Sequence, residues 1–171
     1  MPSLVGLVLD SGDVLIKFVE TAAETGGALH AQEARYVPKS RFPPDHCHPR
    51  QDERFQIIEG GLEFKIDGEP RVVRAGDEVA IPRGAYHHAR NPFAEPAIVR
   101  WETRPALRSA EMYRDLYMAA ARHRGKPPLH EAAAILREYR HEFRLAKPHA
   151  LVQTIVFSCL APFGRAALHR T

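Results

Sequence analysis

The chain has 171 residues, 44% of them hydrophobic and 26% charged, with a formal net charge of +3. That length suits one ordinary domain with an appendage, and the composition excludes a disordered or fibrous chain. Residues 106–171 hold 11 Lys/Arg against 5 Asp/Glu and residues 1–105 hold 13 against 16, but the basic residues alternate with apolar ones at helical spacing, so a solvated helix face is expected and a nucleic-acid surface is not.

The opening MPSLVGLVLD lacks a basic n-region and a long apolar run, so no signal peptide is expected. LVGLVLD and VLIKFVE flank DSGD, a hairpin connection, and GALHAQEARYV follows the Gly26-Gly27 break. RFQIIEG and LEFKI meet at Gly60-Gly61, Asp67-Gly68 turns the chain again, and VVRAGDEVAIP and PAIVRWETR complete the series. Many short strands with Gly/Pro turns predict a mainly β unit over residues 1–105, a sandwich, barrel or jelly roll, and exclude a parallel α/β sheet.

After Pro105 the period changes, and two to three helices are expected over residues 106–171, packed on the barrel or at a dimer interface. SAEMYRDLYMAAARHRG places Met112, Leu116 and Ala119 or Ala120 at helical spacing, with Ser109 as N-cap and Gly125 as stop. LHEAAAILREYRHEF puts Leu129, Ala132, Leu136, Tyr139 and Phe143 on one side and Glu131, Arg137 and Glu138 around the other. The apolar HALVQTIVFSCLAPFG is shorter than the roughly 20 residues a membrane-spanning helix needs, and Pro162 and Gly164 are read as its end. It is expected to pack on the barrel or at a subunit interface, and membrane contact is not expected.

The chemistry concentrates in DHCHPRQDERFQIIEG, residues 45–60. Side chains at i and i+2 of a strand share a face, so His46 and His48 point into one space and Cys47 points away. Pro49 and the polar RQD read as a loop, after which Glu53 starts a strand on the same face as Phe55 and Ile57. A carboxylate buried there needs a partner such as a cation. Two imidazoles and a carboxylate suit a borderline first-row metal. GDEVAIPRGAYHHARN offers His87 and His88 as a further ligand, and being adjacent on a strand only one of them can join the site. Cys47 and Cys159 are the only cysteines and lie outside any C-x-x-C pairing, so reduced thiols in a cytoplasmic protein are expected.

These spacings resemble the cupin superfamily. The first motif of that family matches His46, His48, Glu53 and Gly60, with Ser40 where the leading glycine is usual; the second matches Gly76, Pro82, Gly84, His87 and Asn91. The resemblance covers roughly residues 28–104. It implies a double-stranded β-helix, a jelly-roll barrel, whose interior holds one divalent metal (Fe, Mn, Ni or Zn) on His46, His48, Glu53 and His87, and it selects His87 over His88.

Phe55, Ile57, Phe64, Ile66, Val99 and Trp101 are read as core or cavity lining. His30, Gln32 and Tyr36 share one parity and Arg100 and Glu102 another; whichever set faces inward can bond substrate, although solvent is the simpler expectation for both. Histidines 123, 130, 141, 149 and 169 have no partner at ligand spacing and read as surface. Ser/His/Asp order, P-loop, G-x-G-x-x-G and H-E-x-x-H are absent from the sequence. The expected function is a metal-binding cupin acting on a small organic molecule, dioxygenase-like chemistry first and isomerisation second. The alternative is a non-catalytic binding or sensor protein, and a homodimer is expected in either case. Whether the chain is an enzyme stays open at this stage.

Overall fold

Period-two alternation before Pro105 folds into antiparallel strands. The computed structural model describes residues 3–123 and 127–164. Its strands are β1 (Val8–Asp10), β2 (Val14–Glu20), β3 (His30–Tyr36), β4 (His46–Cys47), β5 (Asp52–Glu59), β6 (Gly61–Ile66), β7 (Glu69–Arg74), β8 (Glu78–Ile81), β9 (His87–Arg90), β10 (Ala97–Arg104) and β11 (Arg144–Leu145). They form two sheets, ordered β1-β2-β3-β10-β5-β8 and β11-β4-β9-β6-β7. Phe18, Phe55, Leu62, Phe64, Val79, Ile81 and Val99 fill the space between them, as expected of two sheets that each present one apolar face.

Register places the polar residues of the interior. Thr103 of β10 is flanked by His30 of β3 and Glu53 of β5; one step along, Trp101 is flanked by Gln32 and Phe55, and then Val99 by Ala34 and Ile57. In the second sheet His87 of β9 sits between His46 of β4 and Ile66 of β6. The chain passes from β5 in one sheet to β6 in the other at Gly60, which has φ 71° and where a Cβ would lie 2.3 Å from the Pro96 carbonyl oxygen, so only glycine fits.

The expected hairpin at DSGD forms between β1 and β2. A helical turn that the sequence reading did not include, α1 (Ala22–Thr25), follows β2; it opens with a capping box between Thr21 and Glu24 and closes at Gly26.

Three longer helices follow the strands. In α2 (Ser109–Arg122) Met112 and Ala119 are buried as expected, but Arg108 occupies the N-cap position and Ser109 is the first helical residue. The Ser109 hydroxyl accepts from Gln51 Nε2 at 2.8 Å, and the same amide donates to the carbonyls of Pro105 and Ala106, so it joins β5's approach loop to the start of the helix. Gly125, expected as the stop, lies outside the described residues. Helix α3 (Leu129–Glu138) ends before Phe143, and its buried positions are Glu131, Ala133, Ala134 and Ile135, while Leu129 is exposed. Of the expected stripe Tyr139 is buried, but the rest of it was to face the barrel or a dimer interface. Instead α3 lies between α2 and α4 (Ala150–Gly164), and Glu131 is buried because Arg122 and His123 pair with it.

Helix α4 runs through Pro162 rather than stopping there. Proline has no N–H to offer the carbonyl four residues back, Ser158, and that carbonyl accepts from Arg137 Nη1 of α3 at 3.3 Å. Gly164 marks a close crossing: a Cβ there would meet the His130 carbonyl oxygen at 2.2 Å. Among the described residues no helix is long and apolar enough to cross a membrane. The segment after α3 also contributes β11, a strand not expected from the sequence, which pairs with β4 and so ties the helical part to the strand that carries His46.

Candidate metal centre

Three imidazoles come together from distant parts of the chain. His46 lies in β4, His48 directly after it and His87 at the start of β9; all are buried, and one nitrogen from each lies within 4.8 Å of the others. Each ring is oriented by its other nitrogen. Nδ1 of His46 donates to the Pro44 carbonyl at 2.8 Å, that of His48 to Glu142 at 2.6 Å and that of His87 to Ala85 at 3.0 Å. A carbonyl only accepts, so each Nδ1 carries a proton and, in the neutral ring, Nε2 presents a lone pair.

Glu53 faces the same point. Its Oε1 lies 3.2 Å from His48 Nε2 and its Oε2 lies 2.8 Å from His87 Nε2, yet His48 Nε2, His87 Nε2 and Glu53 Oε2 have no aligned hydrogen-bond partner among the described residues. Lone pairs facing one another in a buried space are unfavourable unless a cation lies between them. Trp101 holds the carboxylate by donating Nε1–H to Oε1 at 2.8 Å. Burial would raise the Glu53 carboxyl, but His48, His87 and His46 together outweigh it and hold the group down to about 2. Burial, then repulsion from His87 and His48, lowers His46 to about 3. Burial lowers His48 as well. At His87 burial also opposes the charge, but the Glu53 carboxylate prevails and the shift is upward. An ionised carboxylate among imidazoles with free Nε2 atoms is the donor set that a borderline divalent metal takes.

The helical segment supplies part of this centre. Phe143 stacks on His46 with ring centroids 4.5 Å apart and planes 19° from parallel, and the carbonyl that orients His48 belongs to Glu142. Neither residue lies in the motifs; the sequence marks Phe143 only as the last apolar position of the second expected helix and gives no signal for Glu142. His88, as expected, turns away and stacks on Phe42 at 4.2 Å. Cys47 is buried on the opposite side of its strand and Cys159 is exposed, both unbridged.

The residues read as core or cavity lining lie in or against the apolar cluster between the sheets. Phe55 stacks on Trp101 at 5.0 Å and meets Phe64 edge-on at 5.1 Å; Ile57 and Val99 lie deeper and Ile66 is half-buried beside His87. His30, Gln32 and Tyr36 point inward and are buried, a correction to the simpler expectation of solvent. Arg100 and Arg104 flank Glu102 at 2.8 and 3.1 Å on the outer face. Tyr113 of α2 closes the same interior, edge-on to Trp101 at 5.2 Å and stacked on His30 at 5.9 Å. Gln32 Nε2, Thr103 Oγ1 and Tyr113 Oη have no hydrogen-bond partner among the described residues, so polar capacity remains one register step from the metal-facing carboxylate.

At Ser40, where the motif usually has glycine, the left-handed backbone falls on the preceding Lys39, and the Ser40 hydroxyl accepts from the main-chain N–H of Asn91 at 2.8 Å, joining the two motifs. One further expectation changes. His123, read as a surface residue, is half-buried with Nε2 2.8 Å from Glu131. His169 lies outside the described residues.

Residues 32–101 match the family model described as Cupin domain. An uncharacterized protein of Aquifex aeolicus (strain VF5) is 34% identical over 56 residues, which is 33% of this chain and 45% of that protein. Germin-like protein 5-1 of Oryza sativa subsp. japonica is 36% identical over 78 residues, 40% of this chain and 34% of that one. The chain thus spans less than half the length of these curated relatives. An RmlC-like cupin from Shewanella frigidimarina NCIMB 400 superposes with a TM-score of 0.51 at 20% identity, over 61% of this chain and 87% of that one, a likeness of fold.

Proposed function

We propose that the cupin domain formed by residues 32–101 is a metal-dependent one that acts on a small organic molecule inside its barrel, by dioxygenase-like chemistry. The observation that carries this reading is the set of three clustered imidazoles whose Nδ1 atoms are all spent on main-chain carbonyls, with the Nε2 atoms of His48 and His87 directed at the Glu53 carboxylate. His46, His48, His87 and Glu53 would hold one divalent first-row ion. When bound, such an ion supplies Lewis acidity, and iron or manganese adds one-electron chemistry with dioxygen.

The chain's own residues set up the rest. Trp101 fixes the direction of the Glu53 carboxylate, while Phe55, Phe64 and Val99 keep water from the floor of the barrel. Burial holds the Tyr113 phenol well above its ordinary value, so it stays protonated and can donate to a substrate oxygen. The Gln32 amide is a second unspent donor. These groups orient a small oxygen-bearing molecule against the metal face.

The test has two stages. Elemental analysis after reconstitution is expected to find one ion per chain, lost in His87→Ala and kept in His88→Ala; a protein that takes up no divalent ion overturns the ligand assignment. Oxygen uptake is then measured with catechols, diketones and flavonoids, and turnover is expected to vanish in His48→Ala. Stoichiometric metal and ligand binding without turnover would favour a second reading, a non-catalytic sensor whose helical part contacts a partner. The exposed Leu151, Ile155 and Phe163 of α4 support such a contact, and we take the partner to be a second copy of this chain.

A further inference from the structure

The helical segment holds a groove that the metal site does not use. Between α3, β11 and α4 lies an open cavity of about 370 Å³, inside the range of small-ligand sites, roughly 300–1,000 Å³. Its floor includes Phe143 and the buried Phe157, and Arg137, Arg140 and Arg144 stand around it. Among the described residues no Asp or Glu lines it. Arg137 reaches the neutral carbonyl of Ser158 at 3.3 Å and Arg140 that of Arg137 at 3.5 Å. By contrast Arg41, Arg54, Arg83, Arg90 and Arg108 each hold a carboxylate.

Three guanidinium groups around one concavity repel one another, and no lining carboxylate offsets this. Guanidinium groups bind carboxylate and phosphate oxygens in pairs of parallel hydrogen bonds, and aromatic floors take apolar bodies. We propose that this groove binds a small organic oxyanion, its charged head on Arg140 and Arg144 beside Arg137 and its apolar body on Phe143 and Phe157. Phe143 is shared with the metal centre, where it stacks on His46 at 4.5 Å, and Arg144 pairs in register with Cys47, next to that histidine. An occupant of the groove is therefore separated from the imidazole by one ring.

Titration calorimetry on the full chain, stripped of metal with chelator, tests this with inorganic phosphate, phenyl phosphate and benzoate. One-site binding is expected, with phenyl phosphate or benzoate at least about tenfold tighter than inorganic phosphate because only they reach the apolar floor; which of the two binds better assigns the head group. The Arg140→Ala/Arg144→Ala double variant is expected to weaken binding by about tenfold or more, the corresponding double Lys variant to lose less, and Arg41→Ala to match the wild type. Ser158→Glu, which places a carboxylate at the rim, is expected to abolish binding without touching the arginines. Equal losses in Arg41→Ala, or binding that appears only in metal-loaded protein, overturn the proposal. Because the assay uses metal-free protein, failure of the metal reading leaves the outcome unaffected.

Discussion

The Nδ1–H of His48 donates to the main-chain carbonyl of Glu142 at 2.6 Å, across 94 positions of sequence. A histidine of the barrel is thus aimed by the segment that follows α3, and the neighbouring Phe143 stacks on His46. The helical part is structurally continuous with the candidate centre.

Phe143→Ala removes the stacked ring while leaving all four proposed ligands. Such ring pairs contribute about 0.5–1.5 kcal/mol beyond area burial, so metal affinity is expected to fall by up to about tenfold, measured by competition with a chromogenic chelator. Unchanged affinity in a variant with wild-type circular dichroism would rule out a positioning role for this residue.

Tyr113 carries a buried hydroxyl without a partner among the described residues. Leaving such a group unsatisfied costs about 1–3 kcal/mol, so Tyr113→Phe is expected to stabilise the ligand-free protein by about 1 kcal/mol, which for this chain length raises Tm by roughly 2–4 °C. The same change is expected to weaken any turnover found in the oxygen-uptake screen through KM. A lower Tm would mean that the hydroxyl is bonded in the free protein and is not reserved for a ligand.

His30 gives a pH dependence of definite sign. Burial holds its imidazole down to about 4 from 6.5, so the unfolded chain takes up this proton more readily. The contribution of neutral His30 is fully present above pH 6.5 and is lost as pH falls toward 4, by about 3 kcal/mol in all. Urea unfolding of metal-free protein between pH 7 and 4.5 should show a shallower acid loss in His30→Gln than in the wild type. Parallel curves for the two proteins would show that this residue is not the source.

Leu151, Ile155 and Phe163 of α4 are 69%, 66% and 77% exposed, and no residue of 150–164 is charged. If a second copy covers this face, sedimentation velocity should find a dimer in the wild type and a monomer in Ile155→Glu, with the metal content of each chain unchanged. A monomeric wild type would remove the dimer from the proposed function.

Sequence alone was enough to determine the strand series apart from β11, the two turns around Gly60 and Gly68 and the shared face of His46, His48 and Glu53, because these depend on period-two alternation and on backbone conformations that only neighbouring residues constrain. The choice of His87 over His88 came from motif spacing, and the register of His87 beside His46 agrees with it. What only the tertiary structure decided is the set of surfaces that distant elements present to each other. Helix α3 buries Glu131 and exposes Leu129 because it packs on both α2 and α4, and Arg122 and His123 of the α2 end pair with Glu131. Pro162 sits inside α4 because Arg137, a residue of another helix, takes the carbonyl that proline leaves free. Tyr113, Phe143 and the Glu142 carbonyl reach the interior through contacts with His30, His46 and His48, about 80 to 100 residues away in the chain. Hydrophobic periodicity reports that a helix has an apolar side, but the partner that covers it, and the polar groups paired across that contact, are settled only when the elements dock.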